Sequence, residues 1–118
     1  YNYSLSKRAT EDLRITKLIN FIKANYKKDI LLEDVEKTLF LTARQVNRIM
    51  IRKFGCTFHV YLAKYRIAKA KKLLEKTDMP IEQVALESGF SSHYYMYQVF
   101  KKERIGTPMN YRKSNMQK

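Results

Sequence analysis

Helix breakers are scarce in this chain. Three Gly and two Pro punctuate 118 residues, which argues for an all-α fold. Long apolar runs are absent too. None approaches the roughly 18 residues of a membrane-crossing helix, so no transmembrane helix and no membrane partner are expected. Cysteine occurs once, and Cys56 cannot close an internal disulfide; a single thiol suits a reducing cytoplasm. Cys56 and His59 lie close in sequence, but no third ligand joins them for a metal. No orienting acid accompanies them for a nucleophile either. A Gly-rich phosphate loop is missing. The chain therefore offers no catalytic residue, no metal ligand set and no cofactor site, and no enzyme is expected.

Acidic residues are also few, 11 against 24 Lys and Arg, for a net charge of +13. That excess suits a polyanion: duplex DNA, an RNA or an anionic surface. Hydrophobic residues make up 45% of the chain, enough for one compact domain or two small units sharing a core.

The apolar residues fall in helical stripes. Ile15, Leu18, Ile19 and Ile22 recur at i, i+3, i+4 and i+7, which predicts a first helix from about Thr10 to Tyr26. A short helix is expected over 32–39. Another starts after Thr42 and runs to Phe54, where Gly55 supplies a stop. Thr57 then caps a long helix from Phe58 to about Lys76, broken by Thr77-Asp78-Met79-Pro80. Helices over 81–88 and from Ser92 to about Arg104 follow. The last opens at Thr107-Pro108, because Pro suits a first turn.

Two stretches repeat. Leu32-Glu33-Asp34-Val35 aligns with Ile81-Glu82-Gln83-Val84 at a separation of 49, and Met50, Thr57 and Tyr61 align with Phe100, Thr107 and Tyr111 at 50. The expected architecture is two helix-turn-helix subdomains joined by a long bridging helix, about seven helices in all. Its parts are a linker remnant over 1–10, a first subdomain over 11–56, the bridge over 57–76, a second subdomain over 77–113 and a tail over 114–118. Residue 1 is Tyr, not Met, and the chain is expected to be part of a longer protein.

The strongest pattern is Ile81…Val84-Ala85…Gly89-Phe90-Ser91…Tyr95…Phe100-Lys101-Lys102…Thr107-Pro108…Tyr111-Arg112. With Tyr61-Leu62…Arg66-Ile67…Ala70-Lys71…Leu73-Leu74 on the bridging helix, it resembles the DNA-binding domain of the AraC/XylS family of bacterial transcription regulators. The resemblance covers about residues 19–112. Four positions depart from it: Glu36 in place of the usual Ala, Phe40 in place of a small turn residue, Met96 in place of Phe, and Ile105 in place of Gly, with Gly106 one residue late. A β-branched Ile resists a left-handed helix cap.

The resemblance implies sequence-specific binding of double-stranded DNA by two reader helices. Its base-facing positions fall on Arg44, Asn47 and Arg48 in the first reader and on His93, Tyr94, Tyr97 and Gln98 in the second. Arg forks onto guanine and Asn or Gln onto adenine, whereas Tyr offers a hydroxyl to phosphate or a ring to a thymine methyl. The first reader is thus expected to carry more hydrogen-bond specificity, the second more shape and apolar contact. Phosphate contacts are expected from Thr42, Arg52, Lys53, Ser91, Ser92, Lys101 and Lys102, at helix starts and among the flanking charges. Tyr95 reads as core, and Arg66 as a structural ion pair. Each reader position also fits an ordinary solvated helix face.

A bridge of 19 residues spans about 28 Å at roughly 1.5 Å per residue. Successive major-groove segments on one DNA face lie roughly 34 Å apart, so one chain is expected to reach both. RNA polymerase is a further expected partner, and an effector, receiver or dimerisation domain is expected to precede this one. The location expected is the cytoplasm, in association with the nucleoid. The competing readings are a non-specific architectural or RNA-binding module and a polymerase-docking domain.

Overall fold

In the computed structural model residues 3–116 are described, with side chains from residue 9 onward. Among them are seven helices and no strand: α1 (Tyr3–Asn25), α2 (Leu32–Leu39), α3 (Ala43–Phe54), α4 (Phe58–Lys76), α5 (Ile81–Glu87), α6 (His93–Lys102) and α7 (Pro108–Asn115). The chain forms two compact units, residues 1–62 and 63–118, and their boundary falls within α4.

In the first unit α1, α2 and α3 pack on one another. The predicted stripe of α1 contributes Leu18 and Ile22, both wholly buried. Val35 of α2, Val46, Ile49 and Met50 of α3, and Phe58 and Leu62 at the start of α4 complete the core with Ile30 and Leu41. The second unit buries Ile67, Ala70 and Leu74 of α4 against Val84, Ala85, Phe90, Met96 and Phe100. Met96 is fully buried, because an unbranched thioether adapts to an aromatic slot.

α1 begins well before Thr10 and ends one residue short of Tyr26. Neither Gly nor Pro lies between residues 3 and 10, so nothing stops the helix there and Thr10 is passed through. The 3–10 part of the expected linker is helical, whereas residues 1–2 lie outside the described set. The same holds for residues 117–118 of the expected tail, where α7 extends to Asn115.

Ile105 avoids the cap position expected of it. Arg104 takes the left-handed conformation at φ 59°. The Arg104 N–H donates to Lys101 O at 3.1 Å and the Ile105 N–H to Phe100 O at 2.9 Å. This paired arrangement closes a helix and brings the following apolar residue back onto it, so Ile105 packs against the core. Gly89 closes α5 in the same way at φ 96°, with Phe90 N–H on Ala85 O at 2.9 Å. In the second unit Tyr111 Oη donates to the Glu75 carboxylate. Burial, reinforced by that carboxylate, pushes the phenol up to about 12.

Candidate nucleic-acid interface

The start of α3 is held by three side chains. The Thr42 hydroxyl accepts from Gln45 N at 3.1 Å, and Gln45 Oε1 accepts from Thr42 N at 2.9 Å. This reciprocal capping box satisfies two amides that a helix start would otherwise leave open. Glu36 supplies a third acceptor: its Oε2 receives the Ala43 N–H at 2.8 Å. The departure at residue 36 thus puts a carboxylate on the positive end of the α3 dipole. It also changes the expectation for Thr42. Its amide and the amides of Ala43 and Gln45 are occupied, which leaves Thr42 its hydroxyl proton to offer a phosphate.

Beyond that start, Arg44 and Arg48 stand exposed on one ridge of α3, as the i, i+4 spacing dictates. With Asn47, Ile51 and Arg52 they line one open hollow. Asn47 departs from its expected role. It is half-buried, and its Oδ1 accepts the Phe58 N–H, the first amide of α4, at 3.0 Å. A fork onto adenine needs both the oxygen and the nitrogen of the amide, and here the oxygen is engaged. Arg52 also differs from expectation: its Nη1 pairs with Glu11 of α1, so it reaches a phosphate only in competition with a carboxylate. Lys53, in the last turn of α3, is exposed as expected.

α6 is built differently. Ser92 Oγ accepts from Tyr95 N at 3.1 Å, but Tyr95 has no oxygen positioned like that of Gln45 to return to the Ser92 amide. Ala85 stands where the repeat puts Glu36, so no carboxylate is available to the His93 amide from that position. Ser91 is exposed and Ser92 half-buried at this start. His93, Tyr94, Tyr97 and Gln98 are all exposed, and His93 Nδ1 lies 3.8 Å from Glu82 Oε1, beyond hydrogen-bond range. Lys101 and Lys102 are exposed in the last turn.

Tyr95 corrects the sequence reading. It is 50% exposed and rests its ring against Phe90 with centroids 6.0 Å apart, rather than entering the core. Its neighbour Met96 fills that place. Sequence reasoning also missed Glu11 and Glu36 as partners of α3. The capping box was legible in Thr42-Ala43-Arg44-Gln45. The contacts of Glu11 and Glu36 span 41 and 7 residues and leave no mark in a periodic stripe. Among the described residues no three His, Cys, Asp or Glu side chains lie together to hold a metal.

Residues 36–114 match the family model of the helix-turn-helix domain. The chain belongs to the AraC-type helix-turn-helix family. The melibiose operon regulatory protein of Escherichia coli (strain K12) is 31% identical over 104 residues, covering 88% of this chain and 34% of that protein. The C-terminal domain of AraT, a response regulator from Geobacillus stearothermophilus, shares the structure with a TM-score of 0.81 at 28% identity, over 88% of this chain and 87% of that one. The DNA-binding domain of AdpA, in complex with a target DNA, has the same fold: the TM-score is 0.77 at 20% identity, over 84% of this chain and 89% of that one. The chain spans about a third of the length of curated relatives such as the melibiose regulator.

Proposed function

We propose that this chain is the part of a transcription regulator that binds double-stranded DNA in a sequence-specific manner, with α3 and α6 as its two reader helices. The observation that carries the reading is the exposed ridge of Arg44 and Arg48 on a helix whose start is firmly capped. Two guanidiniums on one rigid face can each fork onto a guanine edge in the major groove. The AraC-type family supports the same assignment, and the fold recurs in a protein bound to its target DNA. In this reading the two helices enter successive major-groove segments, and no catalysis is involved. A signal-receiving part belongs to the longer protein, as the length of the relatives suggests. RNA polymerase is its partner at the promoter, and the cytoplasmic nucleoid is its place.

Footprinting on a selected site tests this. Two protected patches about one helical turn apart are expected. Affinity should fall about 10³- to 10⁵-fold between roughly 50 and 200 mM salt if ~6–10 phosphates are neutralised. One isolated patch removes the two-reader reading, and a flat salt response shows that the +13 charge is no phosphate footprint.

A further inference from the structure

Phe40 is 89% exposed and sits in the left-handed region at φ 57°, ψ 42°. Each property is unfavourable. The left-handed backbone strains a residue with a Cβ, and an aromatic ring left in water forfeits its burial. Gly at this turn would remove both penalties. Strained backbone and exposed apolar surface at one residue are features that binding sites retain.

Beside Phe40 lies an open hollow of about 270 Å³. Leu39 at the end of α2 and Phe40 and Leu41 of the following turn line it, with Leu13, Arg14 and Lys17 of α1. Leu13 is itself more than half exposed. The described lining therefore combines an apolar seat with two cations and contains no acid.

We propose that this hollow docks an acidic protein segment, which sets one apolar side chain between Leu13 and Phe40 and places carboxylates against Arg14 and Lys17. The size favours an anchoring side chain, since sites for drug-sized ligands run about 300–1,000 Å³. The charge favours an acidic partner and disfavours a second copy of a chain carrying +13. Duplex DNA would satisfy the cations, but its phosphate backbone offers nothing apolar to Phe40.

The test titrates a fluorescently labelled peptide, Asp-Glu-Leu-Phe-Asp-Glu, into the 118-residue chain at low salt. Saturable binding is expected, together with its loss when Lys replaces each acid in the peptide. Phe40→Gly should weaken the peptide roughly tenfold. It should also raise the melting temperature and leave affinity for a selected DNA site within about twofold. Arg14→Glu should abolish peptide binding. The proposal is overturned by no binding to the wild-type chain, or by equal binding to Phe40→Gly. It is also overturned if Phe40→Gly weakens DNA as much as the peptide, because Phe40 then belongs to the DNA interface.

Discussion

Fifty residues apart, the two helix-turn-helix units solve the same structural problem with different chemistry. Arg44, Asn47 and Arg48 of α3 correspond to Tyr94, Tyr97 and Gln98 of α6. Overall charge does not separate the units: Lys and Arg outnumber Asp and Glu by 12 to 6 in residues 1–62 and by 12 to 5 in residues 63–118. Its placement does. α3 carries cations along its length, whereas α6 carries them only in its last turn.

The middle of each reader shows why. Phe58, the first residue of α4, has an N–H that needs an acceptor, and Asn47 provides it. Its counterpart, Pro108, opens α7 and has no N–H to satisfy. Residue 97 is thereby released from capping, and an exposed Tyr occupies it. The starts of the readers differ for a related reason. Glu36 occupies an amide of α3 and brings a negative charge, whereas Ala85 is wholly buried and brings none. Under the proposed function, these differences place base reading mainly on α3, and phosphate and apolar contact mainly on α6.

The largest test exchanges the readers' chemistry. Arg44→Tyr with Arg48→Gln should cost about 2–6 kcal/mol on the cognate site, because each bidentate Arg–guanine contact discriminates by ~1–3 kcal/mol. Binding to random DNA should fall far less. The reverse exchange, Tyr94→Arg with Gln98→Arg, should raise affinity for random and cognate DNA together. Titrations against both DNAs read the outcome. An equal loss on random DNA in the first exchange makes Arg44 and Arg48 phosphate anchors.

A second test separates capping from reading. Asn47→Ala strands the half-buried Phe58 amide and should cost about 1–3 kcal/mol of stability, measured by denaturant unfolding. It should leave the order of preferred sites unchanged. Tyr97→Ala, at the matching position, should leave stability within about 0.5 kcal/mol, as surface changes do. Should Asn47→Ala relax preference at one base pair with stability intact, its amide reads DNA.

The smallest expected effect lies at the α3 start. Glu36→Gln removes the negative charge and should strengthen cognate and random DNA alike, by the ~0.3–1 kcal/mol typical of a charge at a helix terminus. The gain should shrink as salt screens it. Weaker binding by this variant at low salt would show that the carboxylate serves the reader by holding its start in place.

Much of this was legible in the sequence. The spans of α3 and α4 follow from Thr42, Gly55, Thr57 and the break at Thr77-Asp78-Met79-Pro80, since caps and stops are local signals. The repeat marks two helix-turn-helix stretches about fifty residues apart in the sequence. The rest depends on contacts between elements. Asn47 looks like any exposed amide until α4 folds back to present the Phe58 N–H, and Arg52 looks like a phosphate anchor until α1 brings Glu11 beside it. Tyr95 shows the limit of a stripe argument: its neighbour Met96 takes the buried slot, and the ring is left on the flank beside Phe90. Among the expected readers, Arg44, Arg48, His93, Tyr94, Tyr97 and Gln98 stand exposed, so their surface placement was legible. Their contacts with DNA are the proposal.

The most direct measurement is selection of binding sites from a random duplex pool at a stated salt concentration, repeated with Arg48→Ala. The account predicts a two-part site. One half should be sharply defined and contain guanines that become indifferent in the variant. The other half should be weakly defined, with a leaning toward thymine where Tyr94 and Tyr97 meet its methyl groups. A site whose two halves are equally sharp, or whose sharp half survives Arg48→Ala unchanged, contradicts the assignment of base reading to α3.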